Sequence, residues 1–252
     1  MSEGAPLVID LFCGLGGWAD GFLAEGYEVH GYDIEAHDYG TGGYPGTLIL
    51  RDVRTIHGSE LKDATCIVGS SPCQEFSYRA MPWKRAKALP PPYLGMELFQ
   101  HQFRIQREAS EAAGRHIPMV VENVKGAQPW VGKAAWHYGS FYLWGDVPAL
   151  MPKVAHRKLK TVGPVTVHQA VNHNCHINET RDAFKEGVKF CQSGAAWFDG
   201  KPRNKMLGHF GPAAFGSKSN ARKAASAMIA KIPFDLAVWI ARAYKPAEKK
   251  TA

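Results

Sequence analysis

What the sequence lacks narrows it first. No apolar run approaches the roughly 18 to 20 residues needed to span a bilayer. The most apolar late stretch, Met228 to Ala243, is interrupted by Lys231, Asp235 and Arg242. The opening Met-Ser-Glu-Gly-Ala-Pro has no basic region of the kind that begins a signal peptide. Cysteine is scarce. Five in 252 residues is an odd count, which argues against a disulfide framework and for a reducing, cytoplasmic setting with no membrane partner. No internal repeat is visible. The glycine-rich stretch after the first strand does not follow the Gly-x-Gly-x-x-Gly spacing of a dinucleotide turn.

What is present describes an ordinary globular chain. Hydrophobic residues make up 45% and charged residues 21%, enough to bury a core and to exclude wholesale disorder. At roughly 150 residues per domain, the length predicts one large domain, or one domain with a small lobe. Thirty Lys and Arg against 23 Asp and Glu give a net charge of +7. That balance suits a polyanion, because each neutralised phosphate releases counterions. The positive charge is clustered. Lys84, Arg85 and Lys87 flank Trp83; Lys153, Arg157, Lys158 and Lys160 form a second group; Lys201, Arg203, Lys205, Lys218, Arg222 and Lys223 form a third.

Strand and helix signals alternate in the first half. Leu7 to Asp10, Tyr27 to Tyr32, Leu48 to Leu50, Ala64 to Gly69, Pro118 to Val121 and Phe141 to Trp144 read as strands. Trp18 to Glu25 and Met96 to Ala113 read as helices. Such alternation predicts an α/β fold with a parallel sheet covered on both faces. From about 152 to 216 the composition shifts to His, Asn, Lys and Gly, with little periodicity. Helix-period apolar residues return from about Ala221 to Tyr244. The expected division is a catalytic domain over 1–151, a small lobe over 152–216, and a C-terminal helix over 217–252 that completes the first.

Three segments carry chemistry. Asp10-Leu-Phe-Cys-Gly-Leu-Gly-Gly17 leaves the first strand and opens the first helix. Its glycines let a ligand approach the backbone, and the helix N-terminus favours an anionic group. Asp33, at the end of the second strand, stands where nucleotide-type sites hold a ribose diol; Asp52 follows the next strand. Ile67-Val-Gly-Ser-Ser-Pro-Cys73-Gln-Glu-Phe-Ser77 sets a cysteine just beyond a central strand, a candidate nucleophile. The bland alternative is a buried structural thiol. Val120-Val-Glu-Asn-Val124 brings a carboxylate, Glu122, to the end of another strand.

Together, and in this order, these segments resemble the cytosine-C5 methyltransferases, over residues 7 to about 150 and more loosely at the C-terminal helix. The resemblance implies a Rossmann-like fold that binds S-adenosylmethionine and acts on a nucleic-acid cytosine. It assigns catalysis to Cys73 and Glu122, with Asn123 fixing the loop that carries Cys73. Cofactor contacts fall on Asp10, Phe12, Gly14, Gly16 and Gly17, on Asp33 for the ribose, on Ile34 against the adenine, and on Asp52 for the adenine amino group. Duplex DNA hides its bases, so the target would be flipped out. Gln74 and Ser77, beside Cys73, then meet the nucleic acid. A closing loop over Tyr78 to Leu94 brings Lys84, Arg85 and Lys87 to phosphates, and Arg157 and Lys158 lie beside the recognition lobe. The compact length suggests a monomer of bacterial or phage type.

The residue types suit the reaction. Cytosine C5 is too weak a nucleophile to take a methyl group unaided. A thiolate from Cys73 adding to C6 makes C5 enamine-like, and Glu122, holding N3 and the 4-amino group, stabilises the charge that develops on the ring. An ordinary thiol has a pKa of about 8.5 and an ordinary glutamate about 4.3, so the site must favour thiolate and protonated acid.

The sequence also departs from the family. Where the family has a Gln-x-Arg-x-Arg strand, Trp136, Tyr138 and Ser140 stand, so the arginine contact to the base is missing or comes from elsewhere. The family's closing Gly-Asn-x-Val-Pro-like turn is matched best by Ile229-Ala-Lys-Ile-Pro233. There Lys231 either snorkels to solvent or faces the methyl end of the cofactor. In the second case it would favour carboxy-S-adenosylmethionine and a carboxymethylated base. His168, His173, Cys175, His176 and Cys191 match no closed zinc spacing, and no metal is expected. Two other functions stay open at this level: an RNA cytosine-C5 methyltransferase, and a nucleic-acid-binding module whose catalysis has decayed.

Overall fold

A computed structural model describes residues 4–38, 42–77, 89–151, 227 and 230–247. The chain divides into two compact units. One comprises Met1–Ser77, Pro90–Pro152 and Ile232–Ala252; the other comprises Tyr78–Leu89 and Lys153–Lys231. Nearly all the described residues belong to the first unit, which is a Rossmann-like α/β fold.

Its strands are β1 (Leu7–Leu11), β2 (Glu28–Asp33), β3 (Thr47–Leu50), β4 (Cys66–Gly69), β5 (Met119–Asn123), β6 (Trp136–Tyr138) and β7 (Phe141–Gly145). They form one sheet in the order β3-β2-β1-β4-β5-β7-β6. The first five run parallel, and β7 is antiparallel to both β5 and β6. The central strands read as near-continuous apolar runs because both of their faces are covered. One core contains Ile9, Leu11, Ile67, Met119 and Val121. The other contains Val8, Val29, Val68, Val120 and Leu143.

Helix α1 (Gly17–Ala24) and the C-terminal helix, here α3 (Phe234–Tyr244), pack together on the second core. Glycine makes this closeness possible. A methyl group on Gly21 would meet Ala237, and one on Gly17 would meet the backbone nitrogen of Ile232. The Tyr27 hydroxyl then donates to the Ala241 carbonyl at 2.9 Å. The periodic apolar run read as starting near Ala221 is broken before α3, which begins only after Pro233. Proline supplies no N–H and biases the preceding residue toward extended backbone.

Helix α2 (Tyr93–Ala113) covers the first core. It starts three residues earlier than its charge pattern suggested, directly after Pro90-Pro91-Pro92. There the Glu75 carboxylate accepts from the Gly95 amide at 2.7 Å and serves the otherwise orphaned helix start. Gly114, in the left-handed region at φ 63°, ends it.

Strand order reverses between β1 and β4. In open α/β sheets, ligands bind at the carboxyl ends of strands beside such a reversal. The glycine turn leaves one of these two strands and the Cys73 segment leaves the other.

Candidate active site

The turn after β1 is built from strained and permissive backbone. Phe12 has φ 57°, a left-handed conformation rare for a bulky residue. Gly14 and Gly16 follow at φ 49° and 72°. The Cys13 amide donates to the Tyr32 carbonyl at 3.1 Å, which ties the turn to β2. The start of α1 has no side-chain cap, so its first amides face the turn.

Asp33 organises the neighbouring strand end. Its carboxylate is mostly buried and accepts from the amides of Gly14 at 3.0 Å and Ile34 at 2.8 Å. It thereby binds the glycine turn to β2, and His37 Nε2 stands 3.5 Å from one of its oxygens. Ile34, beside it, is 74% exposed, an apolar surface suited to a base. Asp52 stands after β3. Its carboxylate accepts from the Arg54 amide and from the guanidinium, at 2.6 Å for the shortest contact. The Arg54 side chain holds the Asp52 pKa below the usual carboxylate value.

Asp10 lies deeper, 1% exposed. Tyr44 donates to one carboxylate oxygen at 3.1 Å. The other oxygen has no hydrogen-bond partner among the described residues. Burial pushes the Asp10 pKa well above the usual value, against the Tyr44 hydrogen bond; Asp33 and Asp20 add to the rise. Tyr44 reaches this place because Gly31 and Gly46 leave room for its ring, while Pro45 lies on Gly16. The run Gly42-Gly-Tyr-Pro-Gly46 thus forms a strap against the glycine turn. Sequence reasoning missed it, although a Tyr-Pro flanked by glycines was a signal of close packing.

Beyond β4, Cys73 is half-buried and begins a short 3-10 turn over Gln74–Phe76. Gln74 is exposed, and the Ser77 hydroxyl donates to the Cys73 carbonyl at 2.8 Å. The other described cysteines, Cys13 and Cys66, are buried. Desolvation pushes both thiols far up, which makes them poor nucleophiles. Exposure therefore separates Cys73 from its neighbours.

Gly69 pairs with Val121, so Ser70 and Glu122 are the next residues along the ends of β4 and β5. Ser70 accepts from the Trp18 indole at 3.1 Å, which fixes its side chain toward α1. By strand alternation Glu122 is on that same face; it is 7% exposed. Asn123 points the other way. Its amide donates to the Ser71 carbonyl and hydroxyl, and its own oxygen accepts from the Val124 amide at 2.8 Å.

Glycine turn, Asp33, Cys73 and Glu122 are thus brought to one edge of the sheet. An S-adenosyl group fits the first two through open space at Gly14, the Asp33 carboxylate and an exposed Ile34, while Gly16 and Gly17 are packed against Pro45 and Ile232. Of the positions aligned with Gln-x-Arg-x-Arg, Trp136 and Tyr138 are in β6 and Ser140 lies between β6 and β7; neither arginine position, Tyr138 or Ser140, carries a basic side chain. Lys231 immediately precedes Ile232, which packs on Gly17. Lys84, Arg85, Lys87, Arg157, Lys158 and the His and Cys residues of 168–191 lie outside the described residues. Among the described residues no group of acidic, His and Cys side chains is set to hold a metal ion, and no helix is long and apolar enough to cross a membrane.

Residues 7–109 match the family model of C-5 cytosine-specific DNA methylases. No curated protein matches the chain. Among solved structures, it is similar to a candidate DNA modification methyltransferase encoded within an E. coli prophage. That match has 25% identity and a TM-score of 0.36, covering 49% of this chain and 33% of that one. It is also similar to Spodoptera frugiperda DNMT2, at 17% identity and TM-score 0.32, covering 50% and 37%. A third match is the Entamoeba histolytica methyltransferase EhMeth, at 16% and 0.35, covering 50% and 40%. The match thus spans a third of the length of the E. coli chain.

Proposed function

We propose that this chain, whose residues 7–109 match the C-5 cytosine-specific DNA methylase model, methylates C5 of cytosine in duplex DNA through a covalent bond from Cys73. The observation that carries the proposal is the placement of Cys73 beyond β4 and Glu122 at the end of neighbouring β5, beside the glycine turn of β1.

Asp33 would hold the cofactor's ribose, Ile34 its adenine, and the amides at the start of α1 its amino-acid end. Bound there, S-adenosylmethionine supplies an electrophilic methyl group. The chain's own residues do the rest. Cys73 adds to C6 and makes C5 electron-rich. Glu122, nearly buried, holds N3 and the 4-amino group and stabilises the charge gathering on the ring. Asn123 ties the loop before Cys73 to the end of β5 through Ser71. Alkylation of C5 would break the donor's S–CH3 bond and leave S-adenosylhomocysteine; the C5 proton then passes to water, and the C5–C6 double bond re-forms as the Cys73 thiolate is expelled. The net positive charge supports a nucleic-acid partner.

The test is covalent trapping. Duplex DNA containing 5-fluorocytosine blocks the elimination, so wild type should accumulate a protein–DNA complex. Cys73→Ser should not, while keeping its affinity for S-adenosylmethionine. Equal trapping by Cys73→Ser would assign the nucleophile elsewhere, and faster trapping on folded RNA than on duplex DNA would replace the substrate.

A further inference from the structure

The face of α2 turned to the sheet is lined by Gly95, Phe99, Gln102, Ile105 and Ala109. Four of these are small or apolar. Gln102 is a carboxamide with no exposure, and among the described residues neither its nitrogen nor its oxygen has a hydrogen-bond partner. A native fold rarely leaves both ends of a buried amide unmade, and each such group calls for an explanation. The other residues of the stripe offer it no polar side chain.

Its location supplies one. A methyl group built on Gly69 would collide with the Gln102 oxygen and lie 3.1 Å from the Leu11 carbonyl. Gly69 is the last residue of β4, paired with Leu11 on one side and Val121 on the other. Gln102 thus lies against the point where Ser70–Cys73 leaves the sheet. Two residues on from Gly69, Ser71 is the residue that Asn123 holds. The adjoining backbone on β1 and β4 is committed to the ladder. Ser70 keeps one ladder bond, its amide donating to the Leu11 carbonyl at 3.1 Å; beyond that amide the Ser70–Cys73 segment has left the sheet.

We infer that Gln102 is a positioning residue for the nucleophile: its buried carboxamide takes its hydrogen bonds from the Ser70–Cys73 backbone when the loop moves to bond Cys73 to the base. This rests on the covalent role proposed for Cys73. Among the described residues the amide is an unmet demand, and engagement of the loop satisfies it. The unfavourable burial is then relieved only along the reaction, which is where it would help.

Gln102→Met keeps a similar volume without the amide, and Gln102→Leu is a second variant should Met pack poorly. Three quantities are read for the full chain: thermal midpoint, S-adenosylmethionine affinity by calorimetry, and the rate of covalent capture on 5-fluorocytosine DNA. The expected result is a midpoint equal to or above wild type, unchanged cofactor affinity, and capture slower by about ten-fold. Capture at the wild-type rate would make Gln102 a structural burden only and overturn the inference. So would a lowered midpoint in both variants, since the amide would then be satisfied in the free protein. If wild type itself captures no DNA, the role of Cys73 fails first and takes this inference with it.

Discussion

The Asn123 carboxamide donates at once to the main-chain carbonyl of Ser71, at 3.0 Å, and to its hydroxyl, at 3.1 Å. Both residues are buried. This clasp joins the end of β5 to the segment that carries Cys73, across 52 positions of sequence. Asn123→Ala would leave the Ser71 oxygens without their donor, a loss of about 1–3 kcal/mol. For a chain of this size each kcal/mol lowers the melting midpoint by about 2–4 °C. Calorimetry should show that loss, together with slower covalent capture and unchanged affinity for S-adenosylmethionine. Equal slowing of capture and loss of cofactor affinity would mean the clasp supports the whole sheet edge rather than the Cys73 loop.

Asp10 makes stability depend on pH in a defined direction. Its carboxyl is held protonated further up the pH scale in the folded chain than in the unfolded one, chiefly by burial. The unfolded chain therefore gives up this proton first, and stability falls as pH rises from about 4 toward the folded pKa. Asp10→Asn, which keeps an acceptor for Tyr44, has no such term. Its melting midpoint relative to wild type should climb between pH 4 and pH 8. A gap that stays constant across that range would show that Asp10 ionises alike in both states.

Lys231 gives a test of donor choice. Ile232, the next residue, packs on Gly17 at the start of α1. If the lysine faces the transferred group, carboxy-S-adenosylmethionine should be preferred by roughly ten-fold or more, as expected for a charged hydrogen bond of about 1.5–3 kcal/mol. Lys231→Asn should return the preference to S-adenosylmethionine. Competition between the two donors, read as methyl against carboxymethyl by mass spectrometry of the DNA, decides it. Identical product ratios for both proteins would place the lysine outside the cofactor site.

Much of the first unit was legible in the chain because its signals are local. Apolar runs alternating with a helical period gave β1, β2, β4, β5, α1 and α2 to within a few residues. Glycines at 14, 16 and 17, followed by a helix, marked the turn. The match over residues 7–109 agrees with the resemblance drawn from the glycine-turn and Cys73 motifs, and the Glu122 segment lies beyond it. Less legible were contacts made by side chains far apart in sequence. Tyr44 reads as a loop residue until Gly31 and Gly46 are seen to make room for its ring. Gln102 reads as one polar residue in a charged helix, although its spacing from Phe99 and Ile105 marked it as facing the sheet.

The sequence by itself determined the strand-helix alternation, the thiol and carboxylate that follow or end two of the strands, and the net positive charge, since each depends only on residue type and spacing. Tertiary structure decided which strand ends become neighbours, through the order β3-β2-β1-β4-β5-β7-β6. It also decided which buried polar groups are satisfied: among the described residues Asn123 finds Ser71, Asp10 is met at one oxygen only, and Gln102 is met at neither end. Spacing along a chain fixes which face of an element a side chain occupies. Whether a hydrogen-bond partner waits opposite depends on another element, brought there by packing.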